Sequence, residues 1–264
     1  MEQILLILFI ALLFLGCKKK ADFNANYTEV NTNVNAFVKF VNAYPFATPL
    51  FTGTTSASLQ LTYGGVQFSG IPIAFGSTFP ASQNYAAINR EVSQKEMFVR
   101  LATGIPPAAV KDSFLFAFQP NLTLGKYYSF FFCDSINNLS GRILITEDEI
   151  RPPGGSGLYR VRFVNLIPNP PSGTPAVDLY STRANAVIFP NIPYRGVTPF
   201  IELPRNSNET AFSDTYQIRW AGTATVIGSL AVQINNQMSL TLFARGLNLT
   251  TGARAPGLSS YRNQ

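Results

Sequence analysis

The chain has no histidine, two cysteines and one tryptophan among 264 residues, and charged side chains make up only 13% of it. Each shortage removes a class of function. Without histidine, the Ser-His relay, the imidazole general base and a common zinc ligand are missing. Two cysteines, Cys17 and Cys133, supply neither a four-thiolate zinc site nor a disulfide scaffold. The usual charged content is about 25%, so solubility here rests on Asn, Gln, Ser and Thr. The net charge is +6, but apart from Lys18-Lys19-Lys20 the bases are scattered, with no basic stripe between aromatics. Nucleic-acid binding is therefore not expected. No segment carries a 3.6-residue apolar stripe, so helices are not expected either. The longest apolar run, residues 4–16, has thirteen residues, short of the roughly 20 that span a membrane.

Phenylalanine is abundant, at 22 residues, and Val, Ile, Tyr and Thr add to the strand-forming bias. Short alternating segments recur between Gly and Pro turns. Leu59, Leu61 and Tyr63 share one face before Gly64-Gly65. Phe114, Phe116 and Phe118 share another. Tyr216, Ile218 and Trp220 alternate with Gln217 and Arg219, which places the only tryptophan in a core. This pattern is that of an all-β sandwich or barrel.

One stretch occurs twice. Ala36-Phe37-Val38-Lys39-Phe40-Val41-Asn42 and Tyr159-Arg160-Val161-Arg162-Phe163-Val164-Asn165 each set a cation between apolar residues and end on Asn, with a Pro soon after. Two such openings mark two copies of one folding unit. The first is expected to be buried on its Val38/Phe40 side. Leu59-Gln60-Leu61-Thr62 matches Val177-Asp178-Leu179-Tyr180, and Gly70-Ile71-Pro72-Ile73 is echoed by Asn191-Ile192-Pro193-Tyr194. The expected organisation is a signal at residues 1–16, a tether at 17–34, a first β-sandwich at 35–146, a linker at 147–157, a second β-sandwich at 158–246 and a C-terminal tail at 247–264. The linker contains Arg151-Pro152-Pro153-Gly154-Gly155-Ser156-Gly157, stiffened by proline and loosened by glycine.

The apolar run fits the core of a secretory signal. It ends in Phe14-Leu15-Gly16-Cys17, which resembles the lipobox of bacterial lipoproteins. The resemblance implies cleavage before Cys17, acylation of that residue and membrane attachment through the N-terminal lipid. The pattern departs from the family in lacking Lys or Arg before the core and in placing Phe14 where Leu is usual. An uncleaved signal anchor is the alternative. Cys133 follows Phe130-Phe131-Phe132 and reads as a buried free thiol.

Val161-Arg162-Phe163-Val164-Asn165, Val177-Asp178-Leu179-Tyr180, Asn191-Ile192-Pro193-Tyr194 and Leu240-Thr241-Leu242-Phe243-Ala244-Arg245-Gly246 together resemble the ordered blocks of the bacterial domain-of-unknown-function family numbered 4397. That resemblance covers about a third of the chain. It implies extracytoplasmic β-rich repeats on a lipoprotein and supplies no catalytic residues. Asp134-Ser135-Ile136 resembles the Asp-Ser/Thr-aliphatic acceptor for O-glycosylation of exported proteins in the Bacteroidetes, which implies Ser135 as a modified residue.

Glu147-Asp148-Glu149 lacks the Gly-punctuated spacing of a calcium loop, so no metal and no cofactor are expected. The expectation is two tandem immunoglobulin-like β-sandwich domains on a lipid-anchored envelope protein, with a non-catalytic binding or structural role. Partners are the membrane and an envelope protein or glycan. Recognition is expected at the loops of residues 48–56, 102–109, 168–174 and 205–213. A carbohydrate-binding lipoprotein is one alternative. A hydrolase with two carboxylates across a cleft is the other.

Overall fold

The computed structural model describes residues 32–45, 58–63, 66–68, 70, 72–81, 83–89, 96–102, 114–133, 142–173, 176–205 and 212–263. Thr32–Gln264 form one compact unit. The fold is all-β, a set of small sheets arranged as tandem β-sandwich-like layers. The first repeat contains β1 (Asn35–Asn42), β2 (Leu59–Tyr63), β3 (Val66–Gln67), β4 (Thr78–Phe79), β5 (Ala86–Asn89), β6 (Met97–Leu101), β7 (Phe114–Phe118), β8 (Tyr127–Phe132) and β9 (Ile143–Asp148). The second contains β10 (Leu158–Asn165), β11 (Ala176–Ser181), β12 (Ala186–Pro193), β13 (Ile201–Pro204), β14 (Ser213–Trp220), β15 (Val226–Gln233), β16 (Ser239–Arg245) and β17 (Gly257–Arg262).

Each repeat makes two sheets. The first has an outer sheet, β3-β2-β6-β7, and an inner one, β4-β1-β8-β9, with β5 also paired to β1. The second has an outer sheet, β12-β11-β14-β15, and an inner one, β13-β10-β16-β17. In both copies the opening strand pairs in parallel with the penultimate one, β1 with β8 and β10 with β16, setting Lys39 opposite Ser129 and Arg162 opposite Thr241. The Asn ending each opening makes the same bonds in both copies. Asn42 Nδ2 donates to the Ile73 carbonyl and its Oδ1 accepts from Tyr44 N–H; Asn165 Nδ2 donates to the Ile192 carbonyl and its Oδ1 accepts from Ile167 N–H. Ile192 therefore corresponds to Ile73, two residues beyond the Ile71 that the sequence echo selects.

Three apolar clusters give the layer order. Val38, Phe40, Leu61, Val99 and Phe130 fill the first sandwich, and Val161, Phe163, Leu179, Ile218 and Leu242 fill the second. Trp220 lies in that second core, as its alternation implies. Val41, Ala43, Phe131, Cys133, Val164, Leu166, Phe243 and Tyr261 pack the two inner sheets against each other. The opening strands are thus covered on both faces, whereas the sequence reading covers β1 on one. Cys133 is a buried free thiol in this third cluster.

Two boundary expectations differ from the structure. Residues 257–262 form β17, paired along β16 from Leu240↔Arg262 to Arg245↔Gly257, and are not a tail. Their polar composition hides Leu258 and Tyr261, which reach two different clusters. The segment from 147 to 157 is pinned. Glu147 and Asp148 belong to β9, the Arg151 carbonyl accepts from Arg160 and Ser239, and Gly154 N–H donates to Glu202. The three acids separate onto different cations: Glu147 to Lys126, Asp148 to Arg162, and Glu149 to Arg151 and Arg160.

The cations of the two openings meet in the layer between the sandwiches. The Asp148 carboxylate accepts from Arg162 at 2.5 Å, Ser129 at 2.5 Å, Tyr85 at 2.7 Å and Thr146 at 3.1 Å. Arg162 also donates to Thr241 and Tyr261. Lys39, with no exposed surface, donates to the carbonyls of Asn84 and Pro80 and lies 5.0 Å and 5.5 Å from the ring centres of Tyr85 and Tyr261. Burial outweighs the attraction of Asp148 and lowers the Lys39 ammonium from 10.5 to about 8. Between those values the unfolded chain binds more protons than the folded one, so Lys39's contribution to stability rises as pH increases through that window. Asp148→Asn leaves two buried cations without their anion and is expected to cost about 3–5 kcal/mol, with Lys39→Met costing less. Urea denaturation at pH 7 compares the two. At pH 9.5 the gap between wild type and Lys39→Met should move in favour of wild type.

Candidate functional site

A cavity of about 320 Å³ opens at one end of the second sandwich. Its walls come from β10 (Tyr159), β11 (Ser181), the turn after it (Arg183, Ala184), β13 (Leu203, Pro204) and the two sides of the loop joining β13 to β14 (Arg205, Phe212, Asp214). The described ends of the 205–213 loop, one of the four expected to carry recognition, therefore border it. The described residues of the 168–174 loop are not in its wall, and residues 48–56 and 103–109 lie outside the described residues.

Phe212 is buried, with its ring 6.0 Å from that of Tyr159. The Arg183 guanidinium lies 4.1 Å from the Phe212 ring centre and that of Arg205 lies 5.8 Å away. Both arginines are also tied to backbone, Arg183 to the Ser213 carbonyl and Arg205 to the Ile234 carbonyl. Cation–π contact and these bonds hold two positive groups around one aromatic plate.

Beneath them runs a buried polar chain. Tyr159 and Tyr216 share a hydrogen bond of 3.0 Å between hydroxyls. The Asp214 carboxylate accepts from Ser181 Oγ at 2.5 Å, from Thr182 Oγ1 at 3.4 Å and from Arg183 N–H at 3.1 Å. Burial is the largest influence on both phenols. It raises Tyr159 to about 12 and pushes Tyr216 further up, with Asp214 adding to both shifts. Ser181 is not placed to act as a nucleophile: it is buried, donates to Asp214 and accepts from Ala184 N–H at 2.9 Å. Asp214 is the one carboxylate among the described residues of the wall.

A groove of about 400 Å³ lies between the repeats, lined by Thr78 and Gln83 from the first and by Gln233, Tyr261 and Arg262 among others from the second; its described lining residues include no carboxylate. Among the described residues no three His, Cys, Asp or Glu side chains converge as a metal site. Cys17 and Ser135 lie outside the described residues. The cavity is not legible in the sequence because its lining residues come from four separate stretches of the chain. The available signal was the run Arg205 to Asp214, whose ends bring cation, aromatic and acid to one place.

No family model matches the chain. No curated protein sequence matches it either. Among solved structures, family 41 carbohydrate-binding modules from streptococcal virulence factors, described for alpha-glucan recognition, match with a TM-score of 0.26 and 10% identity over 85% of this chain and 96% of that one. A family 26 carbohydrate-binding module of Amy13K from Eubacterium rectale, in complex with maltoheptaose, matches with a TM-score of 0.24 and 9% identity over 87% of this chain and 97% of that one. At these TM-scores the superpositions are loose, and no residue role is carried over from them.

Asp214 holds the turn after β11 in place and closes the floor of the cavity. Asp214→Ala is expected to cost about 2–4 kcal/mol, because Ser181 and the Arg183 N–H lose a buried acceptor. Urea denaturation measures the loss. A cost within about 0.5 kcal/mol, as at an ordinary surface site, is the contrary result.

Proposed function

We propose that this chain is an exported envelope protein, anchored through lipid on Cys17, that acts as a non-catalytic binding protein. The cavity is the observation that carries the binding role. It offers a shaped apolar wall and fixed charges, while Asp214 and Ser181 in that wall are committed to each other. The address rests on the apolar run ending at Gly16-Cys17. More than one acyl chain, at about 0.8 kcal/mol per buried methylene, suffices for stable attachment. The two-sheet framework of each repeat supports the immunoglobulin-like reading of the modules, and the repeated blocks support kinship with family 4397.

A carbohydrate-binding role has one observation in its favour. On the outer face of the first sandwich, Phe98 and Phe114 lie 6.1 Å apart, and Arg100 sits 5.9 Å from the Phe114 ring centre. Phe114 is 53% exposed, and Gln60 stands beside Arg100 across the sheet. Aromatic faces beside polar groups suit stacking on sugar rings. Binding on a glycan array that Phe114→Ala removes supports this second reading.

Labelled palmitate is expected to enter the wild-type chain in a lipoprotein-processing host and not Cys17→Ser. Label retained in the variant, or absent from both, defeats the anchor.

A further inference from the structure

A sheet edge presents unpaired N–H and C=O groups and invites another strand unless brevity, charge, proline or cover blocks it. Most edges here are blocked. β3 and β4 have two residues each and β5 has four. β12 contains Pro190 and Pro193, and β13 ends in Pro204. β9 carries Glu147 and Asp148, and Arg195 Nη2 donates to its Ile143 carbonyl at 2.9 Å. β17 ends in Arg262 and faces Thr78 and Gln83 across the groove between the repeats. On β7, Arg142 Nη1 donates to the Leu115 carbonyl at 2.6 Å.

The second repeat's equivalent of β7 is β15. Leu59 bridges to Ile73 and Val177 pairs with Ile192, which makes Leu59 and Val177 equivalent. Across the sheet, Met97 opposite Tyr63 then matches Tyr216 opposite Ser181, so β6 corresponds to β14 and β7 to β15. β15 has eight residues, with no charge and no proline. The Ile234 N–H donates to the Phe212 carbonyl, and the register runs through Asp214↔Val232 and Tyr216↔Leu230. In an antiparallel ladder the hydrogen-bonded pairs alternate, so Ser229, Ala231 and Gln233 turn their N–H and C=O groups away from β14. Among the described residues nothing bonds to those groups. The three residues are exposed, and Ala231 and Gln233 line the groove of about 400 Å³.

We propose that β15 pairs antiparallel with β15 of a second copy of this chain, about a two-fold axis at Ala231. The pairing sets Ala231 against Ala231 of the second copy and Ser229 against its Gln233. It joins two four-stranded outer sheets into one. A two-fold contact brings a strand against itself, so a charged edge would oppose its own charge. β15 has no charge to oppose, and the residue at the axis is small. The arginine caps seen on the first repeat's edges are what this edge does without.

Oxidative crosslinking of the full chain carrying Cys17→Ser tests the pairing, since the remaining Cys133 is buried. Ala231→Cys is expected to give a disulfide-linked dimer, because hydrogen-bonded antiparallel pairs lie about 5.5 Å apart at Cα, within disulfide reach. Ser229→Cys and Gln233→Cys each lie about 14 Å from their own copy, four residues at roughly 3.4 Å each, and alone should crosslink at least about tenfold less. Mixing those two variants should restore the dimer. Ala231→Pro removes an outward N–H and leaves the ladder to β14 intact, so in the mixture it should abolish the crosslink while circular dichroism stays unchanged. Ala231→Lys sets like charges at the axis, should also abolish it, and decides the matter if the proline variant unfolds. No dimer from Ala231→Cys, equal or stronger crosslinking of Ser229→Cys or Gln233→Cys alone, or mixed crosslinking that survives Ala231→Lys overturns the proposal. Ala231→Cys that links in whole envelopes to a different protein and not to itself also overturns it, and gives the edge to a foreign strand.

Discussion

The buried pair of Arg162 and Asp148, with Lys39 beside it, sets the terms for the rest of the molecule. Moving a charge out of water costs several kcal/mol per ion after relaxation, and attraction offsets this only when geometry and hydrogen bonding are complete. Here they are well provided. Asp148 accepts from four side chains, Arg162 reaches Thr241 and Tyr261 as well, and Lys39 finds two carbonyls and two aromatic rings. The donors and acceptors come from both repeats and from both ends of the described chain. Sliding one inner sheet across the other by a residue would strand these charges. The apolar cluster of Val41, Phe131, Val164 and Phe243 holds the layers together, and the polar cluster selects their register.

This arrangement explains the sequence signature. A lysine or arginine on the outer face of such a strand costs little where that face is wet, and inside a seam between two sandwiches it is tolerated only with an anion and a full set of hydrogen-bond partners. Duplication then gives each copy one cation at the same place, and the asymmetry is resolved by one acid. Asp148 comes from β9 of the first repeat, and its counterpart strand β17 brings Tyr261 to the same seam. The pinned segment that follows Asp148 belongs to the same construction: Glu149 and the Arg151 carbonyl hold Arg160, one alternation away from Arg162.

Much of this was legible in the residues. Alternation located the strands, and the paired openings located the repeats. The Asn at the end of each opening is legible in retrospect, since a buried Asn at a strand end must satisfy both of its amide atoms, and both copies satisfy them identically. What escaped was non-local. Alternation gives a strand two faces but not what covers the second. A polar stretch such as Gly257-Leu258-Ser259-Ser260-Tyr261-Arg262 becomes a strand because β16 has an open edge, which composition does not record. Pro152, Pro153 and the following glycines predict a loose linker, yet their neighbours carry charges whose partners lie 11 to 51 residues away. The cavity was hidden for the same reason.

The layered stack also bears on how well the cavity can hold a ligand. Tyr159 sits on β10, which is buried on both faces from Tyr159 to Asn165, so that part of the strand has no solvent side toward which to yield. Its hydroxyl is fixed by Tyr216, and Phe212 is held between the Tyr159 ring and the Arg183 guanidinium. Asp214 ties the turn carrying Arg183 back to the sheet through both its amide and Ser181. A site whose parts are ordered before binding loses less entropy on binding, so even a small ligand with few contacts is held at useful affinity. In the first repeat the buried Ala36 and Met97 take the corresponding positions. The two tyrosines of the second repeat put a hydrogen-bonded pair of hydroxyls beneath the cavity.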